Sequence, residues 1–317
     1  MKVIEIIQQS KKTVFSFELL PPLKGQKADK LYRTIDELIE YNPQYINITT
    51  HRDEVEFREL PGGLMEKRTV RKRPGTVAIA AAIQNAYHIP VVPHVVCGGF
   101  SREETENMLL DLNFLGINNV LALRGDGRKS ESTFTPEPEG HSHASELVSQ
   151  IVNLKNGKYL DPDIKNTASL DFCVGVAGYP EKHFEASNLD IDLLNLKEKV
   201  DAGADYIVTQ MFFDNQKYYD FVDRCRAIGI TVPIIPGIKP LAMMNQITIL
   251  PKLFSIDIPE AFAGEVRKCK TNDEARSVGT EWAIMQSRDL VAHNVPCLHI
   301  YTYGISDNTR QIAKAVI

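Results

Sequence analysis

Short apolar runs rich in β-branched residues recur along the chain, each followed by a helical pattern or a loop. They fall at residues 13–18 (TVFSFE), 45–49 (YINIT), 91–96 (VVPHVV), 119–123 (NVLAL), 172–177 (FCVGVA), 205–210 (DYIVTQ), 232–236 (VPIIP) and 297–302 (CLHIYT). Near-continuous apolar runs suit strands covered on both faces, as in a parallel sheet wrapped by helices. The intervening segments carry helix signals. Leu31, Ile35, Leu38 and Ile39 form one face of a helix beginning near Lys27. Ser101 with Glu104 makes a capping-box pattern that opens a helix ending at Gly116, and Thr271 with Glu274 opens a long last helix through Trp282. Eight strand-like runs in regular alternation, with no internal linker, predict an α/β fold: one (β/α)8 TIM barrel over residues 1–317. A doubly wound sheet is the alternative, and the regular alternation favours closure.

Two segments break the rhythm. Residues 52–74 form a charged loop after the second run, with the basic cluster Lys67, Arg68, Arg71, Lys72 and Arg73 beside an acidic one. The cluster is either a solvated loop face or an anion or oligomer contact. Residues 127–167, after the fourth run, are long and polar.

Composition narrows the class. The chain has 317 residues, 43% of them hydrophobic, too many for disorder. No apolar stretch is long enough to span a bilayer, and the first residues lack the pattern of a secretory signal, so a cytoplasmic, membrane-free protein is expected. Lys and Arg number 36 against 41 Asp and Glu, so nucleic acid is not an expected partner. The five cysteines are scattered without zinc spacing, mostly in apolar runs, and read as reduced and inert. No HExxH or paired Asp/His spacing points to a catalytic metal, and none is expected.

In a barrel of this kind the active site is built where strands run into the following loops. The polar residues at those ends are Glu18, Thr49 and Thr50, His94, Arg124-Gly125-Asp126, then Tyr179, Glu181 and His183, Thr209-Gln210, and Tyr301-Thr302. Glu18 is the sharpest of these, a carboxyl within the apolar FSFELLPP. Buried without a cation it holds a proton near neutral pH and suits a general acid; otherwise it is the ion-pair partner of Arg124 or another base. Neither GxGxxG nor GxxxxGK[ST] is present, so a nucleotide cofactor would be held by barrel loops and helix N-termini.

These residues resemble the methylenetetrahydrofolate reductase family, of the bacterial type with the catalytic domain alone. The carriers are FSFELLPP (15–22), INITT (46–50), PHVVC (93–97), ALRGD (122–126), GYPEKHFEA (178–186), DLLNLKEKVDAGAD (192–205), TQMFFD (209–214) and IIPGIKP (234–240), in this order over nearly the whole chain. The resemblance implies a FAD-dependent barrel that reduces 5,10-methylenetetrahydrofolate to 5-methyltetrahydrofolate with NADH or NADPH by ping-pong hydride transfer, feeding methionine synthesis. By motif, Glu18 corresponds to the general acid that opens the folate's five-membered ring. Asp126 corresponds to the carboxylate facing both flavin and folate. Gln210 and Gln246 match folate contacts. The implied FAD set is Thr49, His94, Arg124, Gly125, Asp126, His143, Ala144, Tyr179, His183, Asp192, Asn195 and Lys199. A homo-oligomer is expected.

The chain departs from the family pattern in three places. SFELLPP replaces the more usual SFEFFPP, THRDEVEF replaces a small-residue TYGA run, and Ile305 stands where many members place an arginine near the folate tail; Arg310 is a candidate substitute. The length leaves no room for the C-terminal regulatory domain of eukaryotic relatives, so inhibition by adenosylmethionine through it is not expected. Another flavin barrel, such as a proline-dehydrogenase-like oxidoreductase, and a flavin-free binding barrel are the competing readings.

Overall fold

A computed structural model describes residues 1–127, 133–302, 304 and 306–317. Among them the parallel strands are β1 (Val14–Leu19), β2 (Tyr45–Ile48), β5 (Val91–Val96), β6 (Asn119–Leu123), β7 (Cys173–Gly178), β8 (Tyr206–Thr209), the short pair β9 (Ile234–Ile235) and β10 (Gly237–Ile238), and β11 (Cys297–Tyr301). Each pairs with its neighbour in parallel, β10 pairs with β11, and β11 pairs with β1. The ring is interrupted only between β9 and β10, where Pro236 has no N–H to give to a ladder. This is the expected (β/α)8 barrel, with its seventh strand in two pieces.

Strand alternation sorts the side chains. The outward set, with Phe15, Phe17, Ile46, Ile48, Val120, Val174, Ile207 and Ile300, is buried beneath the surrounding helices. The inward set of the lower barrel is a second apolar cluster of Val14, Tyr45, Val92, Leu121, Cys173, Tyr206, Val208, Ile235 and Cys297. Helix α1 (Val3–Gln9) closes this end by adding Val3 and Ile6, and the Val3 N–H donates to Asn119 Oδ1 at 2.8 Å. Further up the same inward faces the side chains become polar: Ser16 and Glu18, Asn47, His94, and His299.

Ser101 and Thr271 do cap helices. Ser101 Oγ accepts from Glu104 N at 3.1 Å at the head of α4 (Arg102–Phe114), and Thr271 caps α10 (Asn272–Ala292). The segment after β10 folds into α8 (Gln246–Phe254) and α9 (Glu260–Lys268), whose apolar residues pack on α10. There the Trp282 indole stacks on Phe262 at 4.7 Å and donates to the Phe213 carbonyl.

The segment expected as a charged loop is instead an antiparallel hairpin, β3 (Glu54–Leu60) and β4 (Leu64–Val70), turning through Pro61-Gly62-Gly63. Both glycines have φ near +90° or +78°, a conformation that side chains disfavour. The charges disguised a two-residue alternation on each arm. The polar stretch 127–167 likewise contains α5 (Ala144–Lys155), the helix that follows β6.

Four of the five thiols, Cys97, Cys173, Cys225 and Cys297, are buried, and burial pushes the Cys97 and Cys173 thiols up to about 12. Gly175 on β7 leaves room for the ring of Tyr206, which a Cβ there would meet at 2.4 Å. Gly175→Ala is expected to destabilise the barrel by about 1–3 kcal/mol through overpacking, measured by denaturant unfolding; an unchanged midpoint would show that Tyr206 has room to move.

Candidate active site

The C-terminal ends of the strands open into a cavity of about 1560 Å³. Its wall includes Glu18, Thr49, His94, Arg124, Gly125, Asp126, His143, Ala144, Tyr179, His183, Asp192, Asn195, Lys199 and Gln210. These residues come from widely separated stretches of the chain, brought together because parallel strands all deliver their ends to one rim. Gln246 lies outside that wall. At the first turn of α8, its Oε1 accepts from the Ala242 and Met243 N–H groups at 2.7 and 3.1 Å. Ile305 lies outside the described residues, and Arg310 is paired with Asp307 at 3.0 Å.

Glu18 sits at the floor. Its side chain is 14% exposed, enough to meet a ligand but too little to solvate a charge. Burial pushes its carboxyl up to about 8, against an opposing pull from the Lys239 ammonium. His94 Nε2 approaches Glu18 Oε2 at 3.4 Å, but burial holds that imidazole down to about 3. Both groups are therefore uncharged at neutral pH, and the contact is not an ion pair. Nor is it a hydrogen bond, since His94 Nε2 has no partner in hydrogen-bonding geometry. Arg124 does not neutralise Glu18 either: its guanidinium meets Glu185 at 2.5 Å and covers the Phe134 ring at 4.9 Å.

The opposite rim, around β7 and α6 (Leu189–Asp201), is cationic and aromatic. Lys199 is half-buried, donates to the Ala177 carbonyl at 2.6 Å, and lies 5.9 Å from the centre of the Tyr179 ring. Burial lowers its ammonium to about 8, with Asp192 acting the other way. The backbone N–H of His183 donates to Asp192 Oδ2 at 3.0 Å, and its ring meets that of Tyr179 edge-on at 4.8 Å. Gly125, at φ +80°, lets the backbone pass close to Val96 between Arg124 and Asp126. Gln210 Oε1 accepts from the Met211 N–H, which leaves its amide N–H groups to the cavity.

Sequence reading missed three groups here. His299 lines the cavity; its Nδ1 is 2.9 Å from Ser16 Oγ, and its Nε2 is buried without a partner. Lys239 acts on Glu18 from the end of β10, and Glu185 engages Arg124. The two-residue period was a usable signal for the first two: His299 and Lys239 stand two positions from the inward Tyr301 and Gly237. Among the described residues, no group of three His, Cys, Asp or Glu side chains could hold a metal ion, and no helix is long and apolar enough to cross a membrane.

A family model described as methylenetetrahydrofolate reductase matches residues 2–316. The chain belongs to this family. It is 33% identical to methylenetetrahydrofolate reductase (NADH) 1 of Arabidopsis thaliana over 318 aligned residues, covering 96% of this chain and 49% of that protein. The chain thus spans about half the length of that plant relative. It is 31% identical to the 5,10-methylenetetrahydrofolate reductase of Salmonella typhimurium, over 95% of this chain and 90% of that one. Among solved structures, an uncharacterized protein from Clostridium thermocellum that binds two copies of 5-methyl-5,6,7,8-tetrahydrofolic acid aligns over 98% of this chain and 97% of its own, with a TM-score of 0.56 and 15% identity. At that identity the likeness is one of fold. For the reductase family the informative feature of this chain is its floor, where Glu18 is set between burial and Lys239.

Lys239→Met removes a cation that favours the Glu18 carboxylate, so the carboxyl should titrate at higher pH than in the parent chain. Difference infrared spectroscopy of the carboxyl stretch against pH reads this. An unmoved titration would mean that burial alone sets Glu18.

Proposed function

We propose that this chain reduces 5,10-methylenetetrahydrofolate to 5-methyltetrahydrofolate with NADH as donor, in a ping-pong cycle with FAD as resident cofactor. The observation that carries the reading is Glu18, a carboxyl held protonated at neutral pH on the floor of a cavity whose wall also carries Asp126. Family membership supports it, as does the naming of the Arabidopsis relative as an NADH enzyme.

The cavity suits FAD. Its volume admits a dinucleotide, Arg124, Lys199, His143 and His183 bring donors suited to phosphates and ribose, and His94 offers a buried ring nitrogen that no protein group uses. Thr49, Gly125, Ala144, Tyr179, Asp192 and Asn195 complete the set that would hold it. When bound, the flavin supplies a two-electron store between donor and folate.

The protein's own residues do the rest. Glu18 gives its proton to the folate nitrogen that leaves as the five-membered ring opens, and the cleaved C–N bond's electrons stay with that nitrogen. The 5-iminium cation left behind is favoured by the Asp126 carboxylate on the same wall. The Gln210 amide N–H groups orient the pterin. Once Glu18 is ionised, Lys239 offsets its charge in a site poor in water, so the proton loss does not strand an unpaired carboxylate. The buried reduced thiols accord with a cytoplasmic setting.

Glu18→Gln is expected to leave nicotinamide-driven bleaching of the bound flavin within a fewfold of the parent and to abolish reoxidation by methylenetetrahydrofolate. Anaerobic stopped-flow measurement of each half-reaction checks this; equal losses in both would remove Glu18 from the acid role. A colourless protein that takes up no FAD would defeat the flavin reading itself. Because the protonated form of Glu18 is the active one, the folate half-reaction should fall as pH rises through about 8, while the nicotinamide half-reaction lacks that limb. A folate half-reaction flat between pH 6 and 10 would contradict the assignment.

A further inference from the structure

Asn47 stands beside Glu18 in the barrel wall. The two are register partners on the parallel strands β2 and β1, so their side chains leave the same inward face at one level, from strands about 4.8 Å apart. Asn47 is fully buried and does not reach the cavity wall, and neither its Oδ1 nor its Nδ2 has a hydrogen-bond partner. A carboxamide shut away from water with both ends unused is a rare and costly state. It calls for a partner that another state of the site supplies.

The neighbouring groups narrow the choice. Of the two ladder partners of Asn47, Glu18 on β1 is polar and Val92 on β5 is not. One layer below, the Tyr45 hydroxyl donates to Cys297 Sγ, and Ser16 Oγ is engaged by His299 Nδ1 at 2.9 Å. Beyond Glu18, the Tyr301 hydroxyl donates to the Thr209 carbonyl at 2.6 Å.

The titratable groups around Glu18 serve other ends. His94 on β5 and His299 on β11 belong to the cavity wall, and burial holds both imidazoles down to about 3, so they stay neutral. His51 and Asp126 stand in the same wall, in the loops that follow β2 and β6. Lys239, just after β10, acts on Glu18 as a charge and can only donate. A carboxamide is neutral, does not titrate, and both accepts and donates.

We propose that Asn47 is a positioning residue for Glu18: Oδ1 accepts the Glu18 O–H while the site is empty, and Nδ2 donates to the carboxylate once the proton has gone to the substrate. This rests on the acid role of Glu18 argued above. A half-turn of the carboxamide exchanges the two bonds, and no proton passes through the amide. Lys239 offsets the new charge, whereas Asn47 fixes where the two oxygens point.

The test follows the Glu18 carboxyl stretch against pH by difference infrared spectroscopy on the full chain. Each variant is paired with its Glu18→Gln counterpart to isolate that band, and both half-reactions are measured by stopped flow. Asn47→Leu, of similar size, removes both bonds. The bond to the charged form is the stronger one, so the titration should rise by about one pH unit. The alkaline limb of the folate half-reaction should rise with it, and its plateau should fall several-fold, since a weaker acid gives up its proton less readily. The nicotinamide half-reaction should lack the shift. Asn47→Asp keeps the shape and puts a second carboxyl beside the first, which should split the titration into two steps; this reads the contact even if Asn47→Leu does not fold. Ser287→Ala, which removes a buried hydroxyl without a partner on α10, should titrate as the parent does. A parental titration in Asn47→Leu, or a single parental step in Asn47→Asp, overturns the proposal, as does an equal loss in both half-reactions with the titration unmoved. If the shifts appear but the parent chain reduces no folate, the folate reading alone falls.

Discussion

A closed ring of parallel strands gives its inward side chains one narrow interior, and the free energy of keeping charge out of water governs what can stand there. The lower half obeys by being apolar and plugged by α1. The upper half holds Glu18, His94, His299 and Lys239 by shifting each toward its uncharged form. The same desolvation that makes these groups costly to bury makes Glu18 an acid near neutral pH. Moving it one residue along β1 would turn it outward among the helices. The position of the proton donor is therefore a matter of strand register before it is a matter of chemistry.

Much of this was readable in the chain because the barrel's alternation is strict. Strand ends at Glu18, Thr49, His94, Asp126, Tyr179, His183 and Gln210, chosen from position alone, all reached the cavity wall. Of the bases that could have answered Glu18, Arg124 is engaged by Glu185 instead, and Lys239 is the cation that acts on it. No local pattern could show that, since Glu185 follows a different strand. His299 and Lys239 went unnoticed because they sit inside apolar runs where a single polar residue draws no attention.

The hairpin failed to register for another reason. Its arms pair residue by residue, but charged residues stand on both faces, among them Glu56, Arg58, Glu59 and Lys67, so the hydrophobic contrast that marks a strand is weak. Its basic cluster resolves residue by residue. Arg68 and Lys72 answer acids on the hairpin, Arg71 pairs with Asp53, and Arg73 reaches back to the Pro21 carbonyl. Lys67, Arg68 and Arg71 are exposed and Lys72 and Arg73 half-buried, so these local pairings stand on a solvated face beside the cavity.

The buried cysteines carry a consequence for anyone handling the protein. A thiol titrating near 12 is ionised in only about one molecule in 10⁵ at pH 7, and only the thiolate is a nucleophile. Cys97 lies beside the cavity strands and Cys173 inside the plugged end, so neither meets an alkylating reagent while the barrel stays shut. Their modification would count openings of the fold, one half of the barrel against the other, and would act as a clock for breathing motions.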